Sequence, residues 1–160
     1  MSVNSSERHR GFTLPELVAV VMLIGILSAV ALPKLQGALS FRDDAWHDQI
    51  VAALRYAHKS AISHRRLVCA DLSGTSLALT IAAANPASAC SAVLPGIDGS
   101  NNAAVTQGST TASASPAGTF YFQPSGRVTT DGAGATAAVR SIAIAGEANI
   151  VLVGETGRVD

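Results

Sequence analysis

The strongest pattern in the chain is an apolar run near its start. From Phe12 to Leu32 there are twenty-one residues and one charge, Glu16. At about 1.5 Å per residue a helix of that length spans about 31 Å, enough to cross a hydrocarbon core once. Thr13 followed by Glu16 three residues later has the spacing of a capping box, and Pro15 falls in the first turn, where its missing N–H costs nothing. Pro33 closes the run and predicts a kink or a locally melted turn around residues 29–34.

Beyond Pro33, apolar residues return at Leu35, Leu39, Trp46, Ile50, Ala53, Leu54, Ala57 and Ala61, on one helical stripe. Arg42, Asp44, Asp48, Arg55 and Lys59 take the opposite side. An amphipathic helix is therefore predicted from Lys34 to about His64, and its apolar face needs a sheet made from the rest of the chain.

Residues 65–160 read as that sheet. Leu67–Leu72 and Leu77–Ile81 flank the turn Ser73-Gly74-Thr75-Ser76. Thr119–Gln123 is β-prone, Pro124-Ser125-Gly126 is turn chemistry, and Arg127–Thr129 returns. Val139–Ala145 and Asn149–Val153 surround Gly146-Glu147, and Arg158-Val159 makes a last short strand. Ala82–Gly118, poor in large apolar residues, is expected as a long surface loop pinned at Cys90. The fold class is α+β, with a long N-terminal helix on a small antiparallel sheet.

The residues Gly11-Phe12-Thr13-Leu14-Pro15-Glu16, followed by the apolar helix, resemble the class III signal of type IV prepilins and type II secretion pseudopilins. The resemblance implies a leader at residues 1–11, cut after Gly11 by a membrane prepilin peptidase, with N-methylation of the new terminus at Phe12. It assigns residues 12–33 to membrane insertion and assembly, with Pro33 as the place where the helix loosens. Glu16 takes the role of the buried glutamate that meets the amine of an incoming subunit's first residue. Such a pair is held mainly by the penalty of breaking it, so what it fixes is register.

The competing reading is an ordinary secretory signal peptide. Arg8 and Arg10 form its basic region, Leu17–Leu27 its apolar core, and Ala29-Val30-Ala31 a small-x-small cleavage site, leaving Leu32 as the first residue. Glu16 and Pro15 at the head of the run, and the Gly-Phe junction directly after the basic residues, speak against it.

Finer likeness points to the minor pseudopilin H and FimT-like group, which includes minor pilins of mannose-sensitive haemagglutinin pili. It rests on Leu54–Ala61, on Phe122-Gln123-Pro124-Ser125-Gly126-Arg127-Val128 and on the terminal Gly157-Arg158. The implied partners are other pilins or pseudopilins, the peptidase, the inner-membrane assembly platform, membrane lipid and, in a secretion machine, cargo. The implied topology is a single pass through the inner membrane, with the N-terminus cytoplasmic and the globular part periplasmic.

Composition alters this picture little. The chain has 160 residues and zero formal charge, so global charge offers no steering toward nucleic acid. Cys69 and Cys90 lack the Cys-x-x-Cys spacing of a redox or zinc site; in an oxidising compartment they pair, adding about 3 kcal/mol through a loop of about twenty residues. The alternative is two unrelated thiols.

Arg55, His58, Lys59, His64, Arg65 and Arg66 form a run without an acid. One reading is solvated cations complementing a helix C-terminus; the other is a DNA contact by Arg65, Arg66 and Arg158, as in FimT-like minor pilins that bind DNA. DNA-binding members carry a Gly-Arg-x-Arg element, whereas here Gly157-Arg158-Val159 is followed by Asp160. Asp43 with His47 and Asp44 with Asp48 have i, i+4 spacing, but no further ligand cluster accompanies them, so no metal is expected. The serines lie in low-complexity sequence and no phosphate-binding glycine loop follows a strand, so neither catalysis nor a cofactor is expected.

Overall fold

The structure, a computed structural model, describes residues 13–160; within the helix the side chains of Val30 and of residues 32–43 fall outside the description. Gly11 and Phe12 therefore lie outside the described residues. The chain divides into two compact units, Met1–Ala38 and Leu39–Asp160.

Helix α1 spans Leu14–His64. It includes Pro33, so the melted turn expected at residues 29–34 is not found. A proline removes one backbone hydrogen bond and crowds one carbonyl, and the remaining ladder can carry the helix past it. Within the second unit the predicted stripe is the buried one: Trp46, Ile50, Ala53, Leu54, Ala57 and Ala61 are buried, while Asp44, Asp48, Arg55 and Lys59 are exposed. Leu35, Leu39 and Arg42 lie outside the described side chains.

The helix ends by a change of backbone hand. Arg65 has φ 53°, the Arg65 amide donates to Ile62 O and the Arg66 amide to Ala61 O at 3.1 Å. This is the bonding of a Schellman cap, with arginine where glycine is usual.

Strands β1 (Val68–Ser73) and β2 (Ser76–Ile81) form the first predicted hairpin, closing at Ser73↔Ser76 around Gly74-Thr75. The other edge of β1 pairs with β6 (Phe120–Phe122), which turns through Gly126 at φ 89° into β7 (Val128–Thr129). The predicted hairpin near the C-terminus is β8 (Arg140–Ile144) with β9 (Ile150–Leu152). Val159 bridges Leu152, and Asp160 and Val151 exchange backbone hydrogen bonds of 2.9 and 3.0 Å.

The long loop expected over residues 82–118 is a correction. It contains β3 (Ala92–Val93), β4 (Asn102–Val105) and β5 (Ala112–Ser115). The outer edge of β2 is shared, β3 pairing at Thr80 and Ile81 and β4 at Ser76–Ala78, while β5 pairs with β8. A strand on a waiting edge needs backbone groups rather than large side chains, and here small buried residues such as Ala104 and Ala112 suffice. The β layer is thus two antiparallel sheets, one holding β3, β4, β2, β1, β6 and β7, the other β5, β8 and β9.

One core joins both sheets to the helix. Trp46, Ile50 and Leu54 pack with Leu77, Leu79, Phe120 and Phe122 of the larger sheet and Ile142, Ile150 and Leu152 of the smaller. Each fully buried large side chain contributes about 1.5–3 kcal/mol. On the far side of β1, Leu67, Cys69 and Ala82 form a second small cluster with Tyr121 and Cys90 packed against it.

Candidate functional site

The N-terminal end of α1 is built as its sequence implies. The amides of Glu16 and Leu17 each donate to Thr13 O at 3.1 Å, and the Thr13 amide donates to Glu16 Oε2 at 3.5 Å. The carboxylate thus folds back over the helix start, the reciprocal half of a capping box. Behind it the apolar side chains are exposed on every side of the helix: Val18 and Val20 are each 44% exposed, and Ile26 and Leu27 66% and 67%. The one hydroxyl in this stretch, Ser28, turns inward and donates to Ile24 O at 2.7 Å. A helix apolar all round is a buried or lipid-facing helix, so these residues require a cover. Among the described residues no helix is long and apolar enough to cross a membrane; the run itself continues to Leu32, beyond the described side chains.

The far end of the helix meets the C-terminus of the chain. Arg55, His58 and Lys59 from α1, with Thr156–Asp160, line an open cleft of about 490 Å³. Arg55 Nη2 donates to Val159 O at 3.0 Å, and His58 donates Nε2–H to Gly126 O at 3.0 Å, its ring tilted against Phe122. Gly157 has φ 66°, and a Cβ there would run into the Gly126 carbonyl and the His58 ring. Glycine at this position is what lets the terminal turn close onto the helix.

Charge in the cleft is partly compensated. Arg158 lies against Asp160, with Nε 2.8 Å from Oδ2. Outside the cleft lining, Arg127 pairs in two-pronged fashion with Glu155, at 3.0 and 3.3 Å. Lys59 has no ion-pair or hydrogen-bond partner among the described residues. Arg65 and Arg66 are exposed and do not line this cleft. The three arginines singled out in the sequence are thus divided, Arg158 in the cleft and Arg65 and Arg66 at the helix cap, while Arg55 and Lys59 are the cations that meet Arg158 there.

Cys69 and Cys90 are joined by a disulfide with Cα atoms 6.1 Å apart, tying β1 to the segment before β3. His47 Nδ1 lies 3.4 Å from Asp48 Oδ1, and the side chain of Asp43 is outside the description. No group of three or more His, Cys, Asp and Glu side chains gathers among the described residues.

Arg140 went unnoticed in the sequence. It is 3% exposed, donates to Pro116 O at 2.7 Å, Gly118 O at 2.8 Å and Thr119 O at 3.3 Å, and lies over the Phe120 ring at 4.6 Å. Burial pushes its pKa below the ordinary arginine value. Its Nε has no partner among the described residues. A lone arginine in a β-prone segment carries no signal of burial; only the carbonyls of the 116–119 segment make it intelligible.

With this geometry in place, the comparisons with known proteins bear on the N-terminal end. The family model of the prokaryotic N-terminal methylation motif matches residues 7–32, which hold the basic residues, the Gly-Phe junction, Glu16 and the apolar run. No curated protein and no solved structure gives a match. On that match, with the α+β architecture behind it, the chain carries a type IV pilin-like prepilin N-terminus.

Proposed function

We propose that the chain is a minor pilin or pseudopilin of the pseudopilin H and FimT-like group. It is a structural subunit that joins the tip or priming complex of a type II secretion pseudopilus or of a mannose-sensitive-haemagglutinin-like type IV pilus. The single observation behind this reading is the methylation motif at residues 7–32, in which one acid, Glu16, heads an otherwise uncharged apolar run. A carboxylate at such a place costs about 2.5–3.5 kcal/mol on insertion scales unless a partner meets it. In this reading the prepilin peptidase cuts after Gly11 and methylates Phe12, the helix is held in inner-membrane lipid, and the assembly platform draws it into the filament. There Glu16 meets the neighbouring subunit's terminal amine. The globular domain faces the periplasm, where the Cys69–Cys90 bond is stable.

Deletion in the native host tests the role and separates the machines. Loss of an exported protein marks the secretion pseudopilus, in which the subunit contacts cargo; loss of surface pili or haemagglutination marks the pilus. A deletion strain unchanged in both would refute the reading.

A second reading has one observation behind it: Arg55, His58, Lys59 and Arg158 line a single cleft. A DNA-binding minor pilin would place phosphates there. The Arg158–Asp160 contact weakens that case, because the guanidinium already faces a carboxylate. A gel shift that is salt-sensitive and lost in Lys59→Ala/Arg158→Ala protein would establish it, whereas loss only in Arg65→Ala/Arg66→Ala protein would move the contact to the helix cap.

A further inference from the structure

The outer strands of the two sheets are mostly met by backbone groups. Gly154 O takes the Val128 amide of β7 at 2.7 Å, Gly74 O takes the Ala112 amide of β5 at 2.8 Å, and Asp160 pairs with Val151 of β9. The outer edge of β4 is met differently. Val105 stands opposite Ser76, and in the same register the Thr106 amide donates to Thr75 O at 3.0 Å. Bonded and non-bonded pairs alternate along an antiparallel ladder, so the N–H and C=O of Val105 point away from β2. What the Val105 N–H reaches is the side chain of Gln49, whose Oε1 accepts at 3.4 Å. A carboxamide has both an acceptor and donors, so Gln49 sits where the peptide group of a neighbouring strand would sit.

Beside this edge runs a cleft of about 650 Å³ between α1 and the segment 97–107. Ala52, Ala53 and Ile97 give it apolar walls, and Ile97 is left 76% exposed. Among the described residues that line it, Asp98 alone is charged. Ser100 donates to Asp98 Oδ1 from its amide at 3.0 Å and from its hydroxyl at 2.7 Å. Those bonds, the backbone one first, hold the Asp98 carboxyl below the ordinary aspartate pKa and keep it ionised. Outward main-chain groups, apolar walls and one fixed negative charge are what an extended, basic peptide needs, and no rigid polar pocket for a small molecule accompanies them.

We propose that the β4 edge and this cleft take an extended peptide segment of another protein, apolar at alternate positions and carrying a lysine or arginine that meets Asp98. The segment adds a strand to the larger sheet. Its N–H and C=O groups exchange with those of Val105, Gln49 swings off the edge, and its apolar side chains pack against Ala52, Ala53 and Ile97. Until a partner arrives, Gln49 guards the edge against unselective pairing. The contact belongs to the folded domain and is independent of the subunit role proposed above.

The test uses the full-length chain in detergent and a fluorescein-labelled peptide, acetyl-Thr-Val-Lys-Val-Thr-amide, followed by fluorescence polarisation. Saturable binding is expected, and the same peptide N-methylated throughout should not bind, because its donors to the edge are gone. Val105→Pro should weaken binding about tenfold or more. Proline is tolerated where a strand's N–H faces outward, so Trp46 fluorescence and the Cys69–Cys90 bond should stay as in the parent. Gln49→Ala removes the competitor for the edge and should tighten binding about threefold, a gain that a folding defect would not give. Asp98→Asn should weaken it about threefold at low salt.

No saturable binding to either the parent or Gln49→Ala protein overturns the proposal. So does equal binding of the N-methylated peptide, which would mark adhesion to apolar surface, or equal binding by a folded Val105→Pro variant. A parent that is dimeric and becomes monomeric in the Val105→Pro form would assign the edge to a second copy and overturn the peptide partner, and Asp98→Asn protein that binds as the parent does would overturn its basic residue.

Discussion

Arg65 sits at φ 53°, where an L side chain bears a steric cost of about 1–2 kcal/mol that glycine escapes. Arg65→Gly should therefore raise stability by about 0.5–1 kcal/mol, after allowing for the freer unfolded chain. Urea unfolding followed by the fluorescence of Trp46, the single tryptophan and 1% exposed, reads the change. A loss of stability would mean that the arginine side chain itself holds the cap. Arg140 is the opposite case: Arg140→Met leaves the carbonyls of Pro116, Gly118 and Thr119 without their donor and should cost about 1–3 kcal/mol in the same assay. The sequence marked Arg65 for the wrong property and Arg140 not at all. Arg65 stood out for its charge, whereas what sets it apart is a backbone angle. Arg140 had no acidic neighbour to mark it, because its partners are main-chain carbonyls brought in by a segment more than twenty residues away.

At the scale of elements, what was legible depended on whether side chains or backbone did the specifying. The amphipathic half of α1 was readable because burial repeats every 3.6 residues, and Trp46, Ile50 and Leu54 meet the sheets as that period requires. Both hairpins were readable because turn residues separate β-prone runs. Strands β3, β4 and β5 were not, since Ala, Ser and Asn occupy them and their pairing comes from the open edges of β2 and β8. Two outcomes belong here. Ile50→Ala, at the centre of the helix-to-sheet contact and fully buried, should lose about 2–5 kcal/mol. Reduction of the Cys69–Cys90 bond should lower stability by about 3 kcal/mol and raise protease cleavage between the two cysteines. Cleavage unchanged by reduction would show that β-pairing alone holds that segment.

For the whole molecule, the folded domain explains how the terminal turn is set against the helix, and the apolar half explains why the chain needs company. At the leader end the methylation motif was legible, since a lone acid at the head of an uncharged run is a pattern in one dimension, while Gly11 and Phe12 lie outside the described residues. The basic cleft was legible only in part, because Arg55 and Arg158 are brought together by the bond from Arg55 to Val159 O and by the glycine at position 157. Glu16→Ala should leave cleavage intact and lower incorporation into filaments, as read in sheared fractions; equal recovery of variant and parent would contradict the assembly role. The proposed subunit role depends on where the mature chain begins. N-terminal sequencing with intact-mass measurement of the membrane-extracted protein decides it: N-methylated Phe12, with the apolar helix retained, is the expected result, and a soluble periplasmic protein beginning at Leu32 would contradict it.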